Sequence, residues 1–409
     1  MNNKSNRKNI PEDWQHRKLV DVCKVNQGLQ IPISARHKDA TNRRKLYITT
    51  QHLNGKSAPE YIEDYAASVV CTKKDILMTR TGNSGIVVTG VEGVFHNNFF
   101  KIKPNTLIDR TFLVYNLKSP IVQYKLLKLA GASTIPDLNH GDFYSIDLEL
   151  PPLLEQKRIV AVLEAWDKYI EGLDCKVEIK KNIKKGLLQR LLTGKKRLKG
   201  FSGKWLNVKL GHLCTRIRQK NAEDNGNILT ISAQYGLINQ QKYFKKRIAA
   251  DSLHNYYLLE KGDFAYNKSY SNGFPMGAIK RLKNYDKGVV SSLYIVFRAR
   301  SINPIYLDLY FESGLFVREL SLVAQEGARN HGLLNIGIND FFEIDVHVPV
   351  DLKEQEAIAT ILTKADDEIE VLQRKKALVE AQKKYLLNNL ITGDIRTSVD
   401  LLEKVKTNG

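Results

Sequence analysis

Three residues have the types and the order of a metal-dependent nuclease site. Asp137 follows a proline, and Asp174 and Lys176 come later as an acidic-x-Lys pair, the arrangement that holds Mg²⁺ through carboxylate oxygens. Asp174 and Lys176 fall within a long helical pattern, however, whereas this arrangement requires a strand. The matching residues of an internal repeat, 373–375, read Gln-Arg-Lys and offer no carboxylate. We therefore expect no nuclease chemistry from these residues.

Signatures of other catalytic sites are missing from the sequence. An amino-methyltransferase needs an Asn/Asp-Pro-Pro-aromatic loop, but the one Pro-Pro, at 151–152, stands in the run Leu-Pro-Pro-Leu-Leu-Glu-Gln. No GxxxxGK[ST] loop is present to bind a nucleoside triphosphate. The cysteines are widely spaced, with no CxxC pair and no His at ligand spacing: Cys23, Cys71, Cys175 and Cys214. We expect a chain that is not an enzyme, with no catalytic residue, metal or cofactor of its own.

Two polar loops contain side chains suited to contacts with nucleic acid. Residues 79–85 read Thr-Arg-Thr-Gly-Asn-Ser-Gly, and residues 267–273 read Asn-Lys-Ser-Tyr-Ser-Asn-Gly. Arg bonds a guanine edge with two donors, Asn does the same to adenine, and Ser, Thr, Lys and backbone amides hold phosphates. The same residue types also form plain turns. The internal repeat places Lys268 opposite Arg80, which favours a shared contact with DNA.

Other basic and polar residues extend this candidate set. A basic cluster lies at 35–38 and 42–45, and the segments 134–139 and 332–337 occupy matching places in the two halves, with a weaker signal. The candidate DNA-binding residues are Arg36, Lys38, Arg43, Arg44, Arg80, Thr81, Asn83, Ser84, Asn139, Lys268, Ser269, Tyr270, Ser271, Asn272 and Asn335.

These loops belong to two halves of the chain that repeat one another. Residues 153–194 align with residues 352–393 without a gap, and 17 of the 42 positions are identical. Shorter matches pair Trp14 with Trp205 near the start of each half, and further blocks match in mid-half. All matched blocks keep their order while the lengths between them differ. The chain is therefore an internal duplication with a variable middle.

Each repeated segment predicts a long helix with one apolar seam. Apolar residues recur in alternating steps of four and three, after a proline and before a Thr-Gly pair. If the halves are related by a pseudo-two-fold, the two helices must run antiparallel and separate the two domains. The expected inter-helix packing residues are Ile159, Leu163, Trp166, Ile170, Leu173, Ile358, Leu362, Ala365, Ile369 and Leu372.

The rest of each half predicts a mixed α/β domain with short strands. Strands are expected at 45–50, 98–103 and 289–298, and helical stretches at 110–129 and 305–323. The expected boundaries are 1–152 for the first domain, 153–200 for the first long helix and its linker, 201–350 for the second domain, and 351–409 for the second long helix and tail.

The formal net charge is +19, which favours a polyanionic partner, and nucleic acid is the commonest one. A generally basic enzyme is the alternative on charge alone. Residues 175–205 hold eleven Lys or Arg against one acid, Glu178, which suits a solvated face, a phosphate backbone or an acidic partner subunit. With no signal-peptide pattern and no run of 18 apolar residues, we expect a cytoplasmic protein that does not enter a membrane.

The repeated segments resemble the two helical regions of specificity (S) subunits of type I restriction–modification systems. Both copies read Ile-Asp-x-x-x-Pro, then Glu-Gln-x-x-Ile, and end in Leu-Leu-x-x-Leu-(Leu/Ile)-Thr-Gly. The runs at 74–82 and 262–273 resemble sequences of target-recognition domains in that family. The resemblance covers essentially the whole chain, and its helical motifs are the more specific part.

The resemblance implies a non-catalytic subunit whose two target-recognition domains read the halves of a bipartite site in double-stranded DNA. It implies that the antiparallel helices fix the gap between those domains and that two modification (methyltransferase) subunits dock on the chain. Those subunits would bind S-adenosylmethionine and methylate adenine, and restriction subunits joined through that complex would use ATP and Mg²⁺. The second helix is less basic than the first, with eight Lys or Arg against four acids at 374–406. This difference puts the equivalence of the two docking faces in doubt.

Two other classes of protein remain as alternatives. One is a nuclease or methyltransferase that acts alone, which purified protein could reveal by cutting or methylating DNA without partners. The other is a free-standing, two-headed DNA-binding regulator, which a stable complex with a methyltransferase would exclude.

Overall fold

The computed structural model describes residues 10–131, 136–232, 235–243, 253–269, 274–324, 334 and 336–398. The chain forms two compact units. The first unit comprises Met1–Asp174 and Arg374–Gly409, and the second unit comprises Cys175–Gln373. Each unit therefore combines a sheet-rich part with portions of both long helices.

The described part of the first unit contains ten strands, five shorter helices and portions of both long helices. Its strands are β1 (Gln15–Lys18), β2 (Cys23–Gln27), β3 (Lys45–Ile48), β4 (Tyr61–Ile62), β5 (Val70–Cys71), β6 (Ile76–Thr79), β7 (Val87–Val88), β8 (Gly93–Phe95), β9 (Phe99–Pro104) and β10 (Asp147–Leu150). Its shorter helices are α1 (Leu19–Val22), α2 (Thr50–Leu53), α3 (Arg110–Lys118), α4 (Pro120–Ala130) and α5 (His140–Tyr144), with 3-10 turns at Ile33–Ala35 and Ala67–Val69. The first long helix is α6 (Leu153–Leu191).

The described part of the second unit also has ten strands and five shorter helices, but its second short helix follows the fourth strand, whereas in the first unit the second short helix follows the third. Its strands are β11 (Trp205–Lys209), β12 (Cys214–Arg216), β13 (Leu229–Ser232), β14 (Gly236–Asn239), β15 (Tyr257–Glu260), β16 (Phe264–Asn267), β17 (Ala278–Arg281), β18 (Lys287–Val290), β19 (Ile295–Ala299) and β20 (Asp345–Pro349). Its helices are α7 (Leu210–Leu213), α8 (Gln240–Tyr243), α9 (Pro304–Glu312), α10 (Leu315–Val323) and α11 (Ile338–Phe342), followed by the second long helix, α12 (Leu352–Thr392).

One sheet topology occurs in both units. In the first unit the antiparallel strands run in the order β2-β9-β6-β7, and in the second unit β12-β19-β16-β17 repeats that order and those pairings. An antiparallel pair, β1 with β10 and β11 with β20, joins the start of each half to the strand before its long helix. The remaining strands form the sheet β4-β3-β8-β5 in the first unit and the pairs β13-β14 and β15-β18 in the second. The predicted mixed α/β class with an internal duplication is confirmed.

The predicted strand at 289–298 is wrong as a single element. The N–H of Tyr294 donates to the carbonyl of Ser291 at 3.1 Å and closes a turn, so that β18 and β19 enter different sheets. Ser291 and Ser292 interrupt the apolar run at this point, and serine is a common turn residue, so the prediction overlooked a local turn signal.

The two predicted helical stretches are each divided in two. Ser119 caps α4 through its side chain, and Pro120, which has no amide hydrogen, opens that helix directly after α3. Gly314, with φ +81°, separates α9 from α10. Only glycine adopts such a conformation at little cost, so the chain changes direction there.

The two long helices begin and end where the repeat predicts, after proline and next to Thr-Gly. Six of the ten predicted seam residues are buried, and the other four are half-buried. The buried set is Ile159, Leu163, Leu173, Ile358, Leu362 and Ile369, and the half-buried set is Trp166, Ile170, Ala365 and Leu372.

Within each unit, reciprocal ion pairs show that the two helices run antiparallel. Asp167 of α6 binds Lys383 of α12 in the first unit, and Lys184 of α6 binds Asp366 of α12 at 2.5 Å in the second. The repeat equates Asp167 with Asp366 and Lys184 with Lys383, so one interaction is made twice with the helices exchanged. Further cross-helix pairs are Asp174–Lys376 and Lys180–Glu368, both at 2.6 Å.

A buried carboxylate holds the start of α6 in the first unit. Glu155 is 2% exposed, and its oxygens accept from Trp14 Nε1 at 3.0 Å and from Arg396 Nε at 2.7 Å. The Arg396 guanidinium also lies 5.6 Å from the centre of the Trp14 ring and bonds Asp13. We call this arrangement the Glu–Arg–Trp clasp.

The second unit repeats the clasp at the start of α12. Glu354 is fully buried and accepts from Arg197 Nε at 2.7 Å and from Trp205 Nε1 at 3.4 Å. In both clasps the Arg follows the end of one long helix and the Glu lies in the first turn of the other. Each clasp therefore ties a helix end to a helix start.

A glutamine next to each clasp carboxylate positions a shorter helix. Gln156 Oε1 accepts from the N–H of Asp109 at 2.6 Å, and Gln355 Oε1 accepts from the N–H of Asn303 at 2.8 Å. Asp109 and Asn303 are the N-caps of α3 and α9. The repeated Glu-Gln pair thus joins each long helix both to the other long helix and to its own domain.

Replacing the clasp arginine should destabilise the protein. Arg396→Ala leaves the Glu155 carboxylate buried without its cation. Breaking a fully buried pair costs about 3–5 kcal/mol, and we expect about 2 kcal/mol here because the guanidinium is 41% exposed. Urea unfolding monitored by circular dichroism measures the loss. As a control, Lys181→Ala removes an exposed i,i+3 pair with Glu178 and should cost no more than about 0.5 kcal/mol. Equal losses for the two variants would contradict a structural role for the clasp.

Candidate nucleic-acid interface

The loop between β6 and β7 holds four of the predicted DNA-binding residues close together. Gly82 and Gly85 have φ of +80° and +92°, which let the chain turn tightly. Ser84 is buried, and its hydroxyl donates to the carbonyl of Arg80 at 2.6 Å, so this side chain holds the loop closed. Asn83 at the tip is exposed.

Arg80 connects this loop to the segment before α5. Its side chain is 14% exposed and donates to Asp137 Oδ2 at 2.7 Å, while Thr81 Oγ1 donates to Asp137 Oδ1 at 2.6 Å. The guanidinium also lies 5.5 Å from the centre of the Phe100 ring. The first role of Arg80 and Thr81 is therefore to shape the loop, and a direct contact with DNA stays a prediction. The sequence did not predict that Asp137 binds these two residues, because 57 positions separate it from Arg80.

The corresponding loop of the second unit is joined in a similar way. Lys268 Nζ donates to the carbonyl of Ile336 at 3.3 Å, and the N–H of Leu334 donates to the Lys268 carbonyl at 3.1 Å. Ser269 is half-buried, and its N–H donates to Asn267 Oδ1 at 3.1 Å. The paired basic residues of the repeat thus share a loop-tethering position. Four further candidates lie outside the described residues: Tyr270, Ser271, Asn272 and Asn335.

The basic cluster around β3 separates into bound and free cations. Arg36 donates to Glu60 at 3.1 Å and to the carbonyl of Ile31, and Arg44 pairs with Asp39 at 2.7 Å and with Glu63 at 3.0 Å. Their side chains are 18% and 17% exposed. Lys45, the fifth cation of the cluster, is half-buried. By contrast, Lys38 and Arg43 are exposed and make no ion pair with any described residue. Those two are the cations of this cluster that a phosphate can reach.

Asn139 lies beside the Arg80 loop, on the segment that carries Asp137. It is the N-cap of α5, with Oδ1 accepting from the N–H of Asp142 at 2.8 Å and Nδ2 donating to the Asp142 carboxylate at 2.6 Å. The side chain is exposed, but both of its polar atoms already serve the helix start. The Lys38–Arg43 cluster borders a different sheet, so the first unit presents its candidates in two places.

The basic run at 175–205 also divides into two groups. Four of its cations are paired with carboxylates: Lys180, Lys181, Lys184 and Arg197. The other seven are exposed and form no ion pair with any described residue: Lys176, Lys185, Arg190, Lys195, Lys196, Lys199 and Lys204. The unpaired group gives the second unit a concentrated positive surface that attracts a polyanion or an acidic protein face.

In the described part of the chain, possible metal ligands are dispersed and three of the four cysteines are buried. No group of three or more His, Cys, Asp or Glu there could hold a metal ion. Burial raises the pKa of the Cys23 and Cys214 thiols to about 12 and that of Cys71 to about 11, so these thiols stay protonated at neutral pH. Asp137 and Asp174, the carboxylates of the nuclease-like pattern, bind Arg80 and Lys376. Among the described helices, none is long and apolar enough to cross a membrane.

The sequence of the chain matches known proteins over most of its length. The model of the family described as type I restriction modification DNA specificity domain matches residues 11–185. The chain is similar to the type I restriction enzyme MjaVIII specificity subunit of Methanocaldococcus jannaschii, with 26% identity over 95% of this chain and 94% of that protein.

Two solved structures share the fold. The type I restriction–modification S subunit from M. genitalium has a TM-score of 0.53 and 15% identity, covering 95% of this chain and 98% of that one. A chain from a structural study of complex assembly and conformational transition in the type I system has a TM-score of 0.58 and 18% identity, covering 95% and 100%. The chain is thus similar to specificity subunits of type I restriction–modification systems, in sequence over nearly its whole length and in fold.

Proposed function

We propose that this chain reads a bipartite DNA target and docks two adenine-methyltransferase subunits. The observation that carries the proposal is the reciprocal construction of the two units. Each has the same four-stranded sheet, the same clasp and the same Asp–Lys pair between antiparallel helices. Two copies of one reader fold suit a target with two half-sites.

Contacts with the DNA backbone are assigned to the free cations. Lys38 and Arg43 are exposed and lack a carboxylate partner among the described residues, so no intramolecular pair must break before they bind phosphate. Asn83 at the tip of the Arg80 loop is the exposed side chain best suited to a base edge. In this proposal Arg80 positions that tip through Asp137.

Docking of the methyltransferase subunits is assigned to exposed apolar side chains on the long helices. In the first unit a groove of about 560 Å³ is lined by Trp166, Leu378 and Tyr385, of which Leu378 is 67% and Tyr385 64% exposed. In the second unit Ile179, which the repeat equates with Leu378, is 51% exposed. Large exposed apolar groups on otherwise polar helices mark interaction surfaces, and an amphipathic helix of the partner fits them.

The chemistry of the complex is assigned to its other subunits. The methyltransferase subunits would supply S-adenosylmethionine chemistry, and restriction subunits would supply the steps that use ATP and Mg²⁺, in the cytoplasm. This chain would determine which DNA sequence the complex recognises. A free-standing two-headed DNA-binding regulator is the alternative, and isolation of the chain without any methyltransferase from its host would favour it.

Loss of the free cations should weaken DNA binding through phosphate contacts. The double variant Lys38→Ala/Arg43→Ala should lower the slope of log Kd against log salt by about 2, since each phosphate contact contributes about 0.9. Fluorescence anisotropy with a target duplex over a salt series measures the slope. The charge-matched control is Lys118→Ala/Lys128→Ala, which removes two exposed lysines from α3 and α4. If both double variants change the slope equally, net charge alone explains the binding.

Lengthening both helices by one turn should change the gap between half-sites. Four residues inserted after Asp174 and four after Gln373 add about 6 Å, or about two base pairs at 3.4 Å each. Methylome sequencing of a host with the partner subunits should show unchanged half-site bases and a spacer longer by about two base pairs. Substitutions at the same two places without a change in length are the control. An unchanged spacer would refute the spacing role, and no split methylation motif with the unaltered chain would refute the proposed function.

Charges placed in the apolar groove should prevent docking. Leu378→Asp/Tyr385→Asp introduces carboxylates where an apolar partner face would bury them, so co-purification of the methyltransferase subunit should fall at least about tenfold. Leu322→Asp, at a side chain 74% exposed on α10, is the matched control and should leave co-purification unchanged. Retained co-purification in the groove variant would place docking elsewhere.

A further inference from the structure

The first unit contains a half-open cavity that neither the DNA surface nor the docking groove uses. Its volume is about 540 Å³, and it lies between α3–α4, the β1–β10 pair and the end of α12. The walls are largely apolar, with Ile121, Val122 and Ile391 among the lining residues.

Two polar atoms in this cavity have no partner among the described residues. Asn116 is 1% exposed; its Nδ2 donates to the carbonyl of Phe112 at 3.2 Å, but its Oδ1 is unpaired. Glu149 uses Oε1 to bond His16 Nδ1 at 2.9 Å, and its buried Oε2 is likewise unpaired. Buried acceptors without a donor are costly, so these two atoms call for a group that brings a hydrogen-bond donor.

The second unit shows what occupies the matching space there. Helices α3 and α9 are both nine residues long and start at caps held by the repeated glutamines, which aligns Asn116 with Tyr310. Tyr310 is 4% exposed. Burial raises the pKa of Tyr310, and a hydrogen bond between its hydroxyl and the backbone of His347 opposes that rise.

The position of His347 completes the correspondence. His347 lies opposite Asn207 in the β11–β20 pair, as Glu149 lies opposite His16 in the β1–β10 pair. The tyrosine ring of the second unit therefore lies against the strand position that Glu149 holds in the first. With asparagine in place of tyrosine, the first unit loses both the ring and its hydroxyl, and it has a cavity there.

We propose that the cavity of the first unit binds a phenol-like group, an aromatic ring that carries a hydrogen-bond donor, in the space that Tyr310 fills in the second unit. The ring would pack on the apolar walls, and its hydroxyl would donate to Glu149 Oε2 or Asn116 Oδ1. The group could come from a free small molecule or from a tyrosine side chain of a partner protein, because both present the same chemistry.

Exchange of the two aligned residues tests the site. Ligand-observed NMR with p-cresol should show saturable binding to the unaltered chain, with a Kd on the order of 1 mM for so small a ligand. Asn116→Tyr should fill the cavity, raise Tm and weaken p-cresol binding at least about tenfold, while Tyr310→Asn should create a second site. Unsaturable binding to the unaltered chain, or unchanged binding to Asn116→Tyr, would overturn the proposal.

Two further measurements keep the test independent of how these variants fold. Toluene lacks the hydroxyl and should bind the unaltered chain at least about tenfold more weakly than p-cresol, a preference that Glu149→Leu should reduce. Equal binding of toluene and p-cresol to the unaltered chain would overturn the hydrogen-bonding part of the proposal. Repeating the p-cresol titration on the complex purified from its host separates the sources: lost binding assigns the site to a partner's side chain, and retained binding assigns it to a free ligand.

Discussion

The buried carboxylate at the start of each long helix is the interaction on which both units depend. Glu155 and Glu354 are removed from water, which is tolerable only because an arginine and a tryptophan N–H satisfy each of them. A negative charge in the first turn also complements the positive end of the helix. Since the arginine follows the end of the opposite helix, a single charge fixes where one helix starts and where the other stops.

Fixing the ends of the long helices determines which of their side chains meet and how each shorter helix is placed. Antiparallel helices with fixed ends bring Asp167 to Lys383 in the first unit and Lys184 to Asp366 in the second. Such partly exposed pairs add little stability, but they make a shift of one helix along the other unfavourable. The glutamine beside each carboxylate then sets α3 or α9 against its sheet. The sheet-rich part of each unit is thereby oriented by backbone and side-chain bonds rather than by apolar packing alone.

The sequence predicted those parts of the fold that repeat or have a period, and missed those that depend on distant partners. The long helices were predictable because their seams and borders occur twice, and Arg396 could have been found by extending the repeat three residues past Gly393 to match Arg197. The structural roles of Arg80 and Arg44 were not predictable, because nothing local shows that Asp137 and Glu63 neutralise them. Basic residues in polar loops look alike until their partners are known.

The separation of contacts along the chain has a consequence for synthesis on the ribosome. The second unit is one continuous stretch, Cys175–Gln373, so all of its contacts are available before the end of the chain is made. The first unit cannot close until Arg396 emerges, since that residue bonds Asp13 across 383 positions. The unit whose synthesis begins first is therefore completed last, and its exposed core must remain soluble in the meantime.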